Sequence, residues 1–139
     1  MSSVFPIRST RVLLVDADHR TSRRLAGLLS EDGFEVEVAG DGRDALARLA
    51  RQPALGVLIT ELGVPFADGP TIARYAAAQN PYLRVIVLTR HPHLLVANSF
   101  AGAPPVVLTK PLDYAQLLEL LADPGPHEKS AVMATSRGN

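Results

Sequence analysis

Residues 12–18 read VLLVDAD, in which an apolar run at residues 12–15 is followed by two acidic residues that flank an alanine. Three more short runs rich in valine, isoleucine and leucine follow, at residues 56–59, 85–88 and 106–108. None of the four alternates with polar residues, which is typical of strands that are buried on both faces of a parallel sheet. A fifth candidate strand at residues 34–39 alternates more, which predicts a place nearer an edge.

Between these runs the apolar residues recur with the period of a helix. The predicted stripes are Leu25, Leu28 and Leu29; Ala45, Leu46, Leu49 and Ala50; Ile72, Tyr75, Ala76 and Ala77; and Tyr114, Leu117, Leu118 and Leu121. Gly33 and the Asn80-Pro81 pair predict helix ends, and Asp113 predicts the N-cap of the last helix. A weaker helix is predicted at residues 93–101, which are poor in strong helix formers. The order predicts the α/β class, a doubly wound five-stranded parallel sheet with five helices.

Composition limits the functions that the chain can have. Of 139 residues, 14 are Lys or Arg and 14 are Asp or Glu, so no overall field attracts nucleic acid or a membrane surface. The absence of cysteine excludes disulfides, thiolate metal sites and thiol catalysis. We predict one domain at residues 10–122 between tails at 1–9 and 123–139. No signal peptide or membrane-length apolar run is present, so a cytoplasmic location is expected.

The candidate site consists of polar residues that follow four of the predicted strands. In open sheets of this class, ligands bind at the carboxyl ends of the strands. Asp16 and Asp18 come after the first strand and Glu61 after the third, while Thr89 follows the fourth and Lys110 the fifth. We therefore expect carboxylates, a hydroxyl and an ammonium to meet at one edge of the sheet.

Four segments carry a more specific likeness. VLLVDAD (12–18), ITELGVPFADG (59–69), VIVLT (85–89) and LTKP (108–111) resemble the signature segments of response-regulator receiver domains, in the family's order. The resemblance covers about residues 11–121. It implies the flavodoxin-like (βα)5 receiver fold and a role in two-component, or phosphorelay, signal transduction.

The resemblance also implies roles for single residues. In this family an aspartate at the end of the third strand accepts phosphate from a histidine kinase, and acidic residues after the first strand help to hold Mg²⁺. Asp16 matches the first acidic residue, Thr89 and Lys110 match the residues that contact the phosphoryl oxygens, and Pro111 matches a proline that follows a cis bond.

Three positions depart from the family's pattern. Ala17 replaces the second acidic residue, Glu61 replaces the phosphoacceptor, and Val107 stands where an aromatic switch residue is usual. Asp16 and Glu61 remain as Mg²⁺ ligands, so we expect a weak metal site or none, and no other cofactor. Asp18 would add a ligand, but capping of the next helix is favoured about two to one.

Glu61 carries its carboxylate on one more methylene, which moves the nucleophilic oxygen outward by about 1 Å and costs about a hundredfold when reacting atoms must align. We therefore predict a stand-alone, degenerate (pseudo-)receiver that is not phosphorylated at Glu61 and acts through protein–protein interaction. The partner is a histidine kinase or a downstream target. The alternative is a working phospho-receiver that uses Glu61 despite this displacement.

Other functions are disfavoured. An enzymatic function is disfavoured because the sequence contains no Gly-x-Gly-x-x-Gly turn, Walker loop or Gly-x-Ser-x-Gly elbow. Direct DNA binding is disfavoured because no helix-turn-helix follows Leu121.

Several surface residues have two interpretations. His19, His91 and His93 are expected to be solvated rather than metal ligands. Arg20, Arg23 and Arg24 form either a solvated face or a docking surface. Leu94, Leu95, Val96 and Leu120 either belong to the core with scattered exposure or mark a protein interface. The resemblance implies that such an interface, a homodimer included, uses the fourth helix, fifth strand and fifth helix.

Overall fold

The computed structural model describes residues 10–51, 55–96, 99–100 and 105–122. Its elements in chain order are β1 (Arg11–Val15), α1 (His19–Glu31), β2 (Glu35–Ala39), α2 (Gly42–Arg51), β3 (Val57–Thr60), α3 (Gly69–Gln79), β4 (Arg84–Thr89), a 3₁₀ helix (Pro92–Leu94), β5 (Pro105–Thr109) and α4 (Tyr114–Ala122). The two predicted tails, residues 1–9 and 123–139, lie outside the described residues. In the described ranges, no helix combines the length and the apolar character needed to cross a bilayer.

The five strands form one parallel sheet in the order β2-β1-β3-β4-β5. This order confirms the predicted doubly wound sheet and places β2 at an edge, as its alternating sequence indicated. All four residues of β3 are buried, and in β1 only Arg11 is partly exposed. Continuous apolar runs therefore mark the central strands, because helices cover both of their faces.

The core has two layers, one on each face of the sheet. Leu13 and Val15 of β1 belong to the layer under α2 and α3, while Val12 and Leu14 belong to the layer under α1 and α4. The alternation follows from the strand period of two residues. Both faces thus bury apolar side chains, and the polar groups that end the strands are left at the sheet edge.

The predicted fourth helix at residues 93–101 is wrong in the part that the structure describes. The backbone there forms only a 3₁₀ helix, Pro92–Leu94, and Leu95 is already extended, with φ −72° and ψ 123°. Pro92 lacks an amide hydrogen, and His93 and Val96 are weak helix formers. Residues 97–98 and 101 of the predicted element lie outside the described residues.

The predicted stripes contain two misplaced residues. Tyr75 is 40% exposed, and Ala73 is buried in the layer under α3 instead. The buried residues of α3 are Gly69, Ile72, Ala73 and Ala76, and Tyr75 lies outside this stripe. Ala50 of α2 is also exposed.

The predicted helix ends agree well with the structure. Gly33 has a φ of 97° directly after the cap of α1 at Asp32, a conformation that glycine adopts without a Cβ clash. Helix α3 ends at Gln79 before the Asn80 cap. Asp113 Oδ1 accepts a hydrogen bond of 3.0 Å from Ala115 N at the start of α4.

Candidate functional site

Acidic and basic side chains from three strand ends meet at the carboxyl edge of the sheet. Lys110, after β5, places its Nζ 2.7 Å from Asp16 Oδ2 and 3.0 Å from Glu61 Oε2. The backbone fixes this arrangement, because Asp16 N donates to Ala39 O, Glu61 N donates to Val15 O and Lys110 N donates to Thr89 O. The predicted convergence of Asp16, Glu61 and Lys110 is therefore observed.

Every oxygen of the two carboxylates has a hydrogen-bond donor from this chain. Besides the contacts with Lys110, Asp18 N donates to Asp16 Oδ1 at 2.9 Å and Leu62 N donates to Glu61 Oε1 at 3.0 Å. Glu61, whose side chain has one methylene more than aspartate, binds the Leu62 amide through one carboxylate oxygen and the Lys110 ammonium through the other. The three charged side chains thus form one closed set, which we call the Lys110 triad.

The Lys110 triad is largely shielded from water. The side chain of Lys110 is 9% exposed, that of Asp16 is 7% exposed and that of Glu61 is 20% exposed. Burial alone lowers the pKa of Lys110, but hydrogen bonds to Asp16 and Glu61 outweigh this effect, so the pKa is raised above its ordinary value. Lys110 is accordingly a stable ammonium between two carboxylates.

Asp18 is close to Asp16 in sequence, but its side chain caps helix α1. Its Oδ1 accepts hydrogen bonds from Arg20 N at 3.1 Å and Thr21 N at 3.3 Å, and its Oδ2 accepts one from Thr21 Oγ1 at 2.8 Å. These bonds, that from the Thr21 hydroxyl above all, lower the pKa of Asp18. The interpretation of Asp18 as the N-cap of α1 is confirmed.

The remaining predicted positions surround the triad. Thr89 is buried at the end of β4, and its Oγ1 accepts a hydrogen bond of 3.0 Å from His91 N. The Lys110-Pro111 peptide bond is cis, as the resemblance implied. Ala17 is exposed, and Val107 is half-buried against the core layer under α2 and α3.

The other candidate residues do not join the triad. His19, His91 and His93 are exposed, and the last two rings meet edge to face with 5.7 Å between centroids. Among the described residues, no three acidic or histidine side chains are grouped so that they could hold a metal ion. Arg20, Arg23 and Arg24 are exposed on α1. Leu94 and Val96 are exposed, whereas Leu95 and Leu120 pack partly against the core.

Sequence reasoning missed the contacts that position the loop after Glu61. Thr60 Oγ1 donates to Glu61 O at 2.8 Å, and Gly42 N donates to Pro65 O at 2.7 Å. A Cβ at Gly42 would lie 2.5 Å from Ala67 N. The contact between α2 and this loop joins residues more than twenty positions apart, so no local pattern could indicate it.

The chain matches a family of known proteins over nearly all of its described length. The family model described as the response regulator receiver domain matches residues 12–122. The response regulator MprA of Mycobacterium leprae is 34% identical over 110 residues, covering 78% of this chain and 47% of that protein. The response regulator receiver protein CpdR of Brucella abortus is 30% identical over 109 residues, covering 78% of this chain and 90% of that protein.

A similar fold is found among solved structures. The receiver domain protein from Clostridium thermocellum has a TM-score of 0.72 and 26% identity, and the match covers 81% of this chain and 91% of that one. The chain spans about half the length of relatives such as MprA. The match to the family model, supported by these relatives, shows that the chain belongs to the response regulator receiver domain family.

Proposed function

We propose that this receiver domain works in two-component signalling by binding a protein partner, without phosphorylation at Glu61. The observation that carries the proposal is the Lys110 triad, in which each carboxylate oxygen of Asp16 and Glu61 already accepts a hydrogen bond. A phosphoacceptor must present an oxygen that is free to attack, together with cations that neutralise the transferring phosphoryl group. Each oxygen keeps a second lone pair, but its use in an attack competes with the bond that now holds it, and Lys110 is already paired with both carboxylates.

The geometry of Glu61 opposes phosphotransfer in a second way. Its Oε1 is turned toward Leu62 N and its Oε2 toward Lys110 Nζ, both at 3.0 Å. Attack on a phosphodonor would break one of these bonds in a setting that is mostly buried. The attacking oxygen would also have to lie about 1 Å nearer the backbone, as it does in aspartate. Misplacement of that size lowers the reaction rate about a hundredfold.

The Mg²⁺ site that the resemblance implies does not fit these residues. Mg²⁺ prefers near-octahedral oxygen coordination with at least one or two carboxylates. Ala17 supplies no oxygen, Asp18 caps α1, and the Lys110 ammonium stands between Asp16 and Glu61 where a cation would be held. We propose that Lys110 takes the place of the metal, so that the domain works without Mg²⁺ or another cofactor.

The alternative, a working phospho-receiver, is favoured by the residues that are retained. Lys110 and Thr89 end their strands where the resemblance places them, and Pro111 follows a cis bond. Movement of Lys110 away from Glu61 would be needed before this pocket accepted a phosphoryl group. The Lys110 triad makes that movement unfavourable, so we rank this function second.

The partner is proposed to be a protein of a two-component system, either a histidine kinase or a downstream target. A binding module rather than an enzyme is proposed, since the sequence has no Gly-x-Gly-x-x-Gly turn, Walker loop or Gly-x-Ser-x-Gly elbow. Homodimerisation is a further proposal, supported by exposed Leu94, Val96 and Val106 at the 3₁₀ helix and β5. The element predicted as the fifth helix in that interface is α4. The stand-alone organisation stays a prediction.

The test is incubation of the full chain with a small phosphodonor and Mg²⁺, followed by intact-mass measurement. We expect no stoichiometric phosphoryl adduct, and a receiver domain with the usual aspartate provides the positive control. A single acid-stable but base-labile acyl phosphate, absent from a Glu61→Gln variant, would contradict the proposal and support the alternative.

A further inference from the structure

Phe66 occupies an unfavourable position in the loop between β3 and α3. The residue is 69% exposed, and its backbone has a φ of 76°. A bulky residue in the left-handed region is under steric strain, and such strain persists where the surrounding structure imposes it. An aromatic ring is therefore held in solvent at a cost to stability.

Arg43 contacts the ring of Phe66, and the position of its positive charge on α2 is electrostatically unfavourable. Its Cζ lies 4.1 Å from the ring centroid, within the range of a cation–π contact. Arg43 stands in the first turn of α2, where the helix dipole disfavours a positive charge. Among the described residues Arg43 takes part in none of the ion pairs.

The acidic residues near Arg43 are engaged elsewhere. Asp41 Oδ1 accepts a hydrogen bond from Asp44 N, and Asp44 Oδ1 accepts one from Arg48 Nε. Within residues 41–48, Asp41 and Asp44 balance Arg43 and Arg48, so this stretch has no net positive charge to attract a polyanion such as nucleic acid or an anionic membrane. A single carboxylate beside the guanidinium is the ligand that fits this charge pattern.

The loop that carries Phe66 is fixed at both of its ends. Gly42 N donates to Pro65 O at 2.7 Å, and Gly69 N donates to Leu62 O at 2.9 Å. A Cβ at either glycine would lie 2.5 Å from the facing backbone, at Ala67 N and at Glu61 O. Because the loop is packed so closely, the ring and the guanidinium are pre-organised, which reduces the entropy lost on binding.

We propose that Phe66 and Arg43 form a docking surface for a protein segment that carries a carboxylate beside an apolar side chain. The carboxylate pairs with the Arg43 guanidinium, and the apolar side chain packs on the exposed part of the Phe66 ring. Aromatic residues, phenylalanine among them, and arginine are enriched at protein interfaces relative to the rest of the surface. The inference rests on the proposed function, because it names the surface through which the domain binds its partner.

The test is a selection of short random peptides that bind the purified full chain. The enriched peptides are then synthesised and their affinities are measured. We expect enriched peptides to place Asp or Glu next to an apolar residue. Arg43→Glu and Phe66→Asn should each weaken binding by about tenfold or more. Tyr82→Asn is the matched control, since Tyr82 is an equally exposed aromatic (66%) that lies outside the surface, and it should bind as the native chain does.

Loss of fold is separable from loss of binding. Arg43→Glu improves the match to the helix dipole, and asparagine adopts a positive φ more readily than phenylalanine does, so neither variant should lower the urea midpoint. Native affinity in both variants, or enrichment of basic peptides, or no peptide that binds specifically, would overturn the inference. So would a single-stranded oligonucleotide that binds with the same dependence on Phe66 and Arg43.

Failure of the proposed function gives a different result. A phosphoryl group on Glu61 would appear in the mass measurement whatever the peptides do. Failure of the docking surface would appear in the Phe66 and Arg43 variants while the chain stays unmodified by the phosphodonor.

Discussion

Lys110 and Glu61 form an ion pair across a strand, with Nζ 3.0 Å from Oε2, although β4 separates β5 from β3 in the sheet. The same ammonium lies 2.7 Å from Asp16, which follows β1. One side chain thus connects the ends of three strands, two of which it does not neighbour. Removal of this ammonium would leave two carboxylates close together in a largely buried place.

The first prediction concerns that removal. Lys110→Met should lower the free energy of unfolding by about 3 kcal/mol at pH 7, because breaking a buried ion pair leaves uncompensated charge. Urea unfolding measures the loss. Adding Asp16→Asn and Glu61→Gln to Lys110→Met should recover most of it, since the neutral amides need no counter-cation. A loss in Lys110→Met no larger than that of an exposed pair, such as Arg11 with Glu35, would contradict the closed triad.

The second prediction concerns the packing of the loop after Glu61 on α2. Gly42→Ala should destabilise the fold by about 2 kcal/mol, because the new Cβ would overlap Ala67. The matched control is Gly27→Ala in α1, where a Cβ meets nothing within 4 Å. That change should stabilise the fold by about 0.5–1 kcal/mol through helix propensity. Equal effects of the two changes in thermal or urea unfolding would show that the loop does not pack on α2.

The third prediction concerns alkaline pH. Burial and the 2.7 Å hydrogen bond to Asp32 raise the pKa of Tyr114 above its ordinary value of 10.0. The stability from this bond is present below the unfolded pKa and is lost as the pH rises beyond it, since the unfolded chain then releases a proton that the folded chain retains. Tyr114→Phe should cost about 1 kcal/mol at neutral pH.

The pH profile separates this effect from a simple loss of packing. Above about pH 10, the stability of the native chain should fall more steeply than that of Tyr114→Phe. Lys110, whose pKa is also raised, contributes a decline of the same sign to both proteins. Parallel profiles, measured by urea unfolding across this range, would rule out a contribution from the Tyr114 hydroxyl.

The fold was predictable because its signals are local. The apolar runs that became β1, β3 and β4 mark buried parallel strands, and Asp18 and Asp113 mark helix starts through contacts within three residues. The wrong helix prediction for residues 93–101 has local causes, namely Pro92 and weak helix formers, whereas the wrong burial of Tyr75 reflects tertiary packing. Tyr75 has helical spacing with the buried residues, yet Ala73 is buried in the core and Tyr75 is not.

The site was predictable only in part. The sheet rule brings Asp16, Glu61 and Lys110 to one edge, and the distances confirm that they meet. The partners of the remaining carboxylate oxygens are backbone amides of Asp18 and Leu62, which side-chain identity does not reveal. The pairing of Arg43 with Phe66 was also not predictable, because it depends on a positive φ and on a contact between α2 and a loop more than twenty residues further along the chain.

The fourth prediction reverses the two departures in the acidic pocket. Glu61→Asp with Ala17→Asp should restore Mg²⁺ binding and reactivity with a small phosphodonor, because a shorter carboxylate withdraws from Lys110 and a new oxygen ligand is added. Magnesium titration and intact-mass measurement provide the two readouts. Ala17→Asp alone should gain metal affinity but no phosphoryl group, while Lys110→Ala in the double variant should abolish phosphorylation. If the double variant gains neither property, the displaced carboxylate is not what keeps the native domain unreactive.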